Sequence, residues 1–154
     1  MRYFILIFLL GITLQLFAQN TAIERTKQFN LEKGIAIQGY DPVSYVSINK
    51  ATKGKSTISA NYQGVVYHFS SEANKKQFLS NPSKYEPQYG GWCAFAMGDY
   101  GKKVEVDPET FKIIEDKLYL YYNAYFNNTL KSWNKDEKNL KAKADKNWSN
   151  IIKK

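Results

Sequence analysis

Hydrophobic and polar positions alternate along two stretches of the chain, and each alternation predicts a β-hairpin. From Thr57 to Ser71, two runs rich in β-branched and aromatic residues flank Gln63-Gly64, a pair that suits a two-residue hairpin loop. In the second run, successive side chains point to opposite faces, so that Val65, Tyr67 and Phe69 share one face and Val66 and His68 share the other. A second hairpin is predicted from Phe111–Ile114 and Leu118–Tyr122 around Glu115-Asp116.

Capping residues predict where the helices begin. Asp41 precedes Pro42, and these residue types favour an N-cap followed by the first helical position. Ser71 is predicted to cap a helix from about Glu72 to Asn81, with Phe78 and Leu79 turned inward and Pro82 stopping its extension. A short buried helix is predicted over residues 92–98, where small residues permit close packing.

The chain from Asn123 to Lys154 is predicted to be helical. Its apolar residues recur at helical spacing, and lysines occupy the other face. The stripe expected to pack on the core consists of Leu140, Ala144, Trp148, Ile151 and Ile152. Hairpins and helices together predict an α+β domain, in which helices pack on a small antiparallel sheet of hairpins.

The first 19 residues have the layout of a secretory signal peptide. Arg2 precedes an apolar run from Tyr3 to Phe17, and the small residue Ala18 follows it. We therefore predict a signal peptide over residues 1–18, an N-terminal lead-in over 19–34 (flexible, or a short helix) and a domain over 35–152 that includes the C-terminal helices. The expected location is the periplasm or the exterior. An uncleaved anchor is the alternative, but the run is shorter than the ~20 apolar residues of a membrane span. No stable membrane anchor is expected after cleavage.

Composition narrows the chemistry. The chain has 22 Lys+Arg against 14 Asp+Glu, a formal charge of +8, which in an exported protein favours solubility over nucleic-acid binding. One cysteine excludes a disulfide framework and a multi-cysteine metal site, and one histidine excludes two-histidine motifs. These counts remove most enzyme chemistries, and we predict a binding protein that is not an enzyme.

Several motifs in order resemble the exported branch of the YHS-domain family. They are Gly39–Tyr45 (GYDPVSY), Tyr67–Ser71 (YHFSS), Gln88–Ala94 (QYGGWCA) and Val106-Asp107-Pro108. The resemblance implies metal binding, since YHS domains of copper-transporting ATPases and metal-handling proteins look like metal binders. The cysteines of those relatives correspond here to Ser44, Ser70 and Asn74, whose hydroxyl and amide groups are poor ligands for soft metals. The cysteine-rich metal site of the relatives therefore cannot be transferred.

Two sites remain open as candidates. If residues 92–98 are helical, Cys93 and Met97 share a face, and with His68 they offer a thiolate, a thioether and an imidazole to a copper ion. In the alternative, Cys93 and His68 are structural, and the protein binds a small molecule or an envelope protein. The pocket for that ligand is predicted from the aromatic-rich motifs: Tyr40, Asp41, Tyr67, Tyr89 and Trp92. A catalytic Cys–His pair oriented by Asp41 is also conceivable, but the apolar neighbours of Cys93 predict an inert thiol.

Overall fold

The computed structural model of the protein describes residues 22–153, and over this range the fold is α+β, as predicted. Four strands form the largest sheet, in the order β1-β2-β4-β3. All neighbours in it are antiparallel except β2 and β4, which pair in parallel at Ile35 and Val66. The strands of this sheet are β1 (Leu31–Glu32), β2 (Ile35–Ala36), β3 (Lys55–Tyr62) and β4 (Val65–Phe69).

Two further hairpins form separate two-stranded sheets. The longer one turns at Glu115-Asp116, as the alternation predicts. The shorter one turns at Tyr125-Phe126, within the segment that was predicted to be helical. Their strands are β5 (Asp107–Ile114), β6 (Lys117–Tyr121), β7 (Asn123–Ala124) and β8 (Asn127–Asn128).

The helices begin at the predicted caps. Asp41 accepts a hydrogen bond from Val43 N, and Ser71 accepts one from Asn74 N. Two 3-10 turns cover Ile37–Gly39 and Gln88–Gly91. The helices are α1 (residues 22–28), α2 (Pro42–Ile48), α3 (Glu72–Ser80), α4 (Pro82–Tyr85), α5 (Ala94–Asp99), α6 (Thr129–Trp133) and α7 (Glu137–Ile152). In residues 22–153 no helix is both long and apolar enough to cross a membrane.

Two clusters of buried side chains hold the elements together. The first lies between the four-stranded sheet, α2 and α3, and it includes Val65, Tyr67 and Phe69 from the predicted face of β4. The second lies between α5, β6 and α7 and is centred on the buried Trp133. Leu140 and Ala144 from the predicted stripe are buried in this second cluster, and Trp148 and Ile151 pack against it.

The lead-in is part of the packed structure rather than a flexible tail. Arg25 of α1 forms an ion pair with Glu86, and its guanidinium lies 4.3 Å from the centre of the Phe29 ring. The indole of Trp92 donates to Gln28 O at 2.7 Å. The short-helix alternative for this segment is therefore the one observed.

Three local predictions are wrong. The segment from Asn123 onward begins with the β7–β8 hairpin and α6, because Thr129 bonds back to Tyr122 O. Leu79 and Ile152 are 49% and 54% exposed, so neither points into the core. By contrast, α3 ends at Ser80, before Pro82, as predicted, and Pro82 is the first residue of the separate helix α4. The signal peptide at residues 1–18 lies outside the described residues.

Candidate functional site

A cavity of about 210 Å³ lies against Cys93, at the junction of α5, the end of β6 and the β7–β8 hairpin. No charged side chain lines it. Its lining combines two small or apolar residues, two tyrosines, a hydroxyl, an amide and the thiol. These residues are Cys93, Ala96, Tyr100, Val104, Tyr122, Asn127 and Thr129.

Cys93 is fixed at the floor of this cavity by backbone and side-chain contacts. Its N–H donates to Val104 O at 2.9 Å, and its Sγ accepts from Tyr122 N at 3.4 Å. Its side chain has no solvent-accessible surface. Cys93 is the N-cap of α5, with φ −57° and ψ 117°, and so it lies outside the helix that was predicted to include it.

Thr129 sets the hydrogen-bonding role of the thiol. Its Oγ1 donates to Tyr122 O at 2.9 Å and lies 3.4 Å from Cys93 Sγ. A hydroxyl has one hydrogen to donate, so the Cys93 S–H is the donor toward Thr129 Oγ1. The buried thiol is thus engaged by neutral partners on two sides.

Tyr100 stands at the mouth of the cavity and is 51% exposed. Burial first, and nearby Cys93 and Asp99 second, raise the pKa of Tyr100 above its ordinary value of 10.0. Its ring packs edge-on against Phe95, with 6.1 Å between the ring centres. The mouth of the cavity therefore carries a neutral aromatic group at ordinary pH.

The three predicted copper ligands have separate surroundings. Cys93 belongs to the cluster beside the four-stranded sheet, whereas Met97 is buried in the cluster around α7. His68 projects from β4 on the face opposite Tyr67 and Phe69, beside Gly39, where an added Cβ would come within 3.2 Å of His68 Nδ1. Cys93 is the N-cap of α5 and its carbonyl accepts from Met97 N at 3.0 Å, but the two side chains are buried in different clusters.

Ser44, Ser70 and Asn74, the positions that the resemblance predicts to correspond to cysteines of metal-binding YHS domains, converge around Asp41. The Asp41 carboxylate, with no exposed surface, accepts from Ser70 N at 2.8 Å, Ser70 Oγ at 2.6 Å and Asn74 Nδ2 at 2.7 Å. Asn74 Nδ2 also lies 3.4 Å from Ser44 Oγ. With the N-cap bond from Val43 N at 2.9 Å, the carboxylate has four donors. We call Asp41, Ser44, Ser70 and Asn74 the Asp41 network.

This network does not fit a soft metal ion. It offers hydroxyl, amide and carboxylate groups, whereas copper(I) prefers thiolate, thioether and imidazole ligands. The carboxylate oxygens are already occupied by donors from the chain itself. Among residues 22–153, no group of three or more His, Cys, Asp or Glu residues is placed to hold a metal ion.

Each aromatic residue of the predicted pocket is tied to a different partner, and none of the four lines the cavity at Cys93 or a second cavity beside the β1–β2 hairpin. Tyr40 donates to Glu109 at 3.0 Å, Tyr67 to Glu86 at 2.5 Å, Tyr89 to Asp145 at 2.8 Å, and Trp92 to Gln28 O at 2.7 Å. The carboxylate of Asp41, the fifth member, is enclosed by its own network. Burial first, and Glu86 second, raise the pKa of Tyr67 well above 10.0, which keeps its hydroxyl a donor. These contacts assign the residues to the packing of the domain.

The second cavity, of about 240 Å³, lies between the β1–β2 hairpin and the segment before β5. It is lined by Asn30, Leu31, Glu32, Ile37, Gln38, Glu105 and Val106. Gln38 donates to Val106 O at 3.1 Å across it. The two carboxylates of this second cavity belong to Glu32 and Glu105, which are exposed residues. The first cavity is the stronger candidate for a binding site, because Cys93 lines it.

Sequence reasoning found Cys93 and missed the residues that surround it. Thr129, Asn127 and Tyr100 carry no motif, and they reach the thiol only because the β7–β8 hairpin folds back on α5. A partial signal was present in Tyr125-Phe126, which interrupts the apolar spacing expected of a helix. Neither residue is a usual turn residue, so residue type does not predict a turn at this position.

Comparison with protein-family models detects a YHS domain at residues 41–89 of the chain. No curated protein and no solved structure matches the chain significantly. The detected segment contains the whole Asp41 network and ends before Cys93. The resemblance to YHS domains is therefore confirmed over this segment, and the cavity over Cys93 is built from residues that follow it.

Proposed function

We propose that the protein is an exported YHS-domain protein that binds a small neutral molecule in the cavity over Cys93 and catalyses no reaction. The observation that carries the proposal is the cavity of about 210 Å³ whose lining combines hydrogen-bonding groups with apolar and aromatic surface and has no charged side chain. Ligand sites typically have this composition, with a few polar groups to orient the ligand. The volume lies below the ~300 Å³ of ordinary ligand pockets, which favours a ligand of few atoms.

The polar groups of the cavity suit a ligand with both a donor and an acceptor. The side-chain amide of Asn127 offers both a donor and an acceptor, and Ala96 and Val104 supply apolar contact. The hydroxyl hydrogen of Thr129 is already donated to Tyr122 O, so Thr129 can only accept. A charged ligand would find no opposite charge in this lining, and desolvating it there would cost free energy. A neutral ligand avoids that cost.

The surroundings of the thiol support binding rather than catalysis. A cysteine nucleophile needs a general base within hydrogen-bond reach. The polar partners of Cys93 Sγ are Thr129 Oγ1 and Tyr122 N, neither of which is a base, and the imidazole of His68 lies on the outer face of β4. A binding role does not require a general base beside the thiol.

Copper binding by His68, Cys93 and Met97 stays a prediction, and the same experiment separates it from the proposal. The folded protein is treated with a thiol reagent and the labelling of Cys93 is followed by mass spectrometry. This is repeated with a library of small neutral compounds and with copper(I) under reducing conditions. We expect one or more neutral compounds to slow labelling and to raise the melting temperature.

Matched variants test whether protection arises in the cavity. Tyr100→Ala removes an aromatic wall at the mouth and is expected to abolish protection by the compound, whereas Tyr125→Ala, at an exposed position outside the lining, is expected to preserve it. Protection by copper(I) alone, with one ion bound per chain, would overturn the neutral-ligand proposal in favour of the metal. A library without a protecting compound would also contradict it.

Export rests on the apolar leader and has its own test. The chain is expressed with its natural N-terminus in a bacterial host, and the mass of the mature protein is measured. Cleavage after Ala18 and recovery outside the cytoplasm are expected. An intact Met1 on membrane-bound protein would contradict export with cleavage.

A further inference from the structure

The β7–β8 hairpin presents two aromatic side chains to solvent at its tip. Tyr125 is 91% exposed, and Phe126 reaches 112% of its reference exposed area. Both belong to the two-residue loop between Ala124 and Asn127, and their φ angles are 50° and 65°. We call Tyr125 and Phe126 the aromatic tip.

The aromatic tip differs from the other hairpin loops of the described chain. Four hairpins there close through two residues that both have positive φ. In three of them the second residue is Gly or Asp: Lys33-Gly34, Gln63-Gly64 and Glu115-Asp116. Such loops favour Asn, Asp and Gly because bulky side chains disfavour the left-handed backbone region. The Tyr-Phe loop therefore costs stability, and neither ring recovers that cost by burial within the chain.

The base of the hairpin is rigidly attached, so the rings are held outward. Asn123 Nδ2 donates to Thr110 Oγ1 at 2.9 Å. Thr129 N donates to Tyr122 O at 3.0 Å, closing the hairpin from the other side. Asn128 accepts from Leu130 N at 3.0 Å and so caps α6. Because these hydrogen bonds fix the backbone of the hairpin, its backbone loses little conformational entropy when the tip docks.

Positive charge accompanies the aromatic tip. From Tyr119 to Lys135 the chain has Lys131 and Lys135 and no acidic residue. Tyr100, which lines the same cavity as Asn127, is 51% exposed and is followed by the exposed Lys102, whereas Lys103 is bound elsewhere, to Gln28 Oε1 at 2.7 Å. Exposed aromatic rings beside lysines are the combination that suits the interface of a bilayer with anionic headgroups.

We propose that the aromatic tip docks the protein on an anionic lipid bilayer. Tyr125 and Phe126 enter the interfacial layer, and the neighbouring lysines lie against the headgroups. The interaction is reversible, because two rings and a few lysines supply much less binding free energy than a transmembrane helix does. It places the mouth of the Cys93 cavity close to the bilayer surface, since Asn127 belongs to both the hairpin and the cavity.

The experiment compares binding of the purified protein to vesicles of phosphatidylcholine with and without phosphatidylglycerol. The main variant is Tyr125→Asn/Phe126→Gly, which replaces the loop by the pair most favoured in this turn. We expect it to melt at a higher temperature than the parent, because Asn and Gly suit the positive φ angles of the loop. We also expect it to bind anionic vesicles at least ~10-fold more weakly, because it lacks the two rings that enter the interfacial layer of the bilayer. A gain in stability with a loss of binding excludes misfolding as the cause.

Two further variants localise the effect. Ile48→Ser removes an apolar side chain that is 65% exposed on α2 and should leave binding unchanged. Phe126→Trp adds a reporter at the tip to the three tryptophans of the parent. The difference between the emission of the variant and that of the parent should shift to the blue on binding and be quenched by brominated lipid. This difference is local to the tip and does not depend on how the N-terminus of the purified chain is processed.

The outcomes that overturn the proposal are distinct. Equal vesicle binding by the parent and the Asn-Gly variant would show that the tip does not dock. Absence of binding to anionic vesicles by the parent would do the same. Self-association that depends on the tip, without vesicle binding, would assign the tip to a protein interface instead.

Discussion

The carboxylate of Asp41 and the thiol of Cys93 are both fully buried, but they differ in the number of polar partners and in the space beside them; the longer distances at Cys93 reflect the larger radius of sulfur. Asp41 has four donors at 2.6 to 2.9 Å. Cys93 Sγ has two polar neighbours at 3.4 Å and borders a cavity of about 210 Å³. The Asp41 network lies inside the segment matched by the YHS model, and the cavity lies beyond it. In the Asp41 network, Ser70 and Asn74 donate hydrogen bonds to the carboxylate, and the cavity lies at Cys93 instead.

The largest expected effect comes from removing the Asp41 carboxylate. Asp41→Ala leaves the donors of Val43, Ser70 and Asn74 buried without their acceptor and deletes the N-cap of α2. We expect the free energy of unfolding to fall by about 3–4 kcal/mol, measured by urea denaturation. Asp116→Asn, at an exposed hairpin turn, is the control and should change stability by less than about 0.5 kcal/mol. A loss below about 1 kcal/mol for Asp41→Ala would mean that the network is not structural.

Alkaline pH provides the second test, through Tyr45 in the matched segment. Burial first, and then the nearby Tyr40, Asp107 and Glu109, raise the pKa of Tyr45 well above 10.0. An unfolded-state tyrosine ionises near pH 10 while the folded one stays protonated. The stabilising contribution is therefore complete below pH 10 and is lost as the pH rises above it, by about 1.4 kcal/mol per pH unit for this group.

Tyr45→Phe should reduce the alkaline slope by about 1.4 kcal/mol per pH unit, in addition to a constant cost from losing its 2.9 Å bond to Pro108 O. The rest of the slope remains, because burial also raises the pKa values of Tyr67, Tyr89 and Tyr121. Tyr125→Phe, at a position that is 91% exposed, is the control and should leave the slope unchanged. The measurement is the free energy of unfolding at several pH values between 9 and 11. A slope in Tyr45→Phe equal to that of the parent would contradict the assignment.

Thr129→Val probes the cavity side with a change of similar shape. The substitution removes the donor to Tyr122 O, but that carbonyl still accepts from Thr129 N. The loss should be about 1 kcal/mol, well below that of Asp41→Ala. Thr57→Val, on the exposed part of β3, controls for the residue change. A loss as large as that for Asp41→Ala would mean that the hydrogen bonds around Cys93 contribute as much to stability as those around Asp41.

The contrast also marks what the sequence predicts and what it leaves open. Val65, Tyr67 and Phe69 alternate in the sequence and are buried together, and Asp41 and Ser71 cap their helices, because these features depend on neighbours a few residues away. The contact between Thr129 and Cys93 joins residues 36 positions apart and depends on how a hairpin folds back. The helix predicted over residues 92–98 begins at Ala94, two residues later, and its N-cap Cys93 is buried in a different cluster from Met97. Long-range contacts of this kind carry no local signal.

The last prediction compares the two centres directly, by the rate at which a thiol reagent labels a cysteine at each. Ser44→Cys in a Cys93→Ala background places a thiol in the Asp41 network, at a position that is 2% exposed. Cys93 lines a cavity through which a reagent can approach it, whereas Ser44 lines neither of the two described cavities. Labelling of Cys93 should therefore be faster and insensitive to low urea, and labelling at position 44 should accelerate with urea because it requires unfolding. Equal rates with the same urea dependence would show that Cys93 is reached only through unfolding, and the cavity would then be closed to ligands as well.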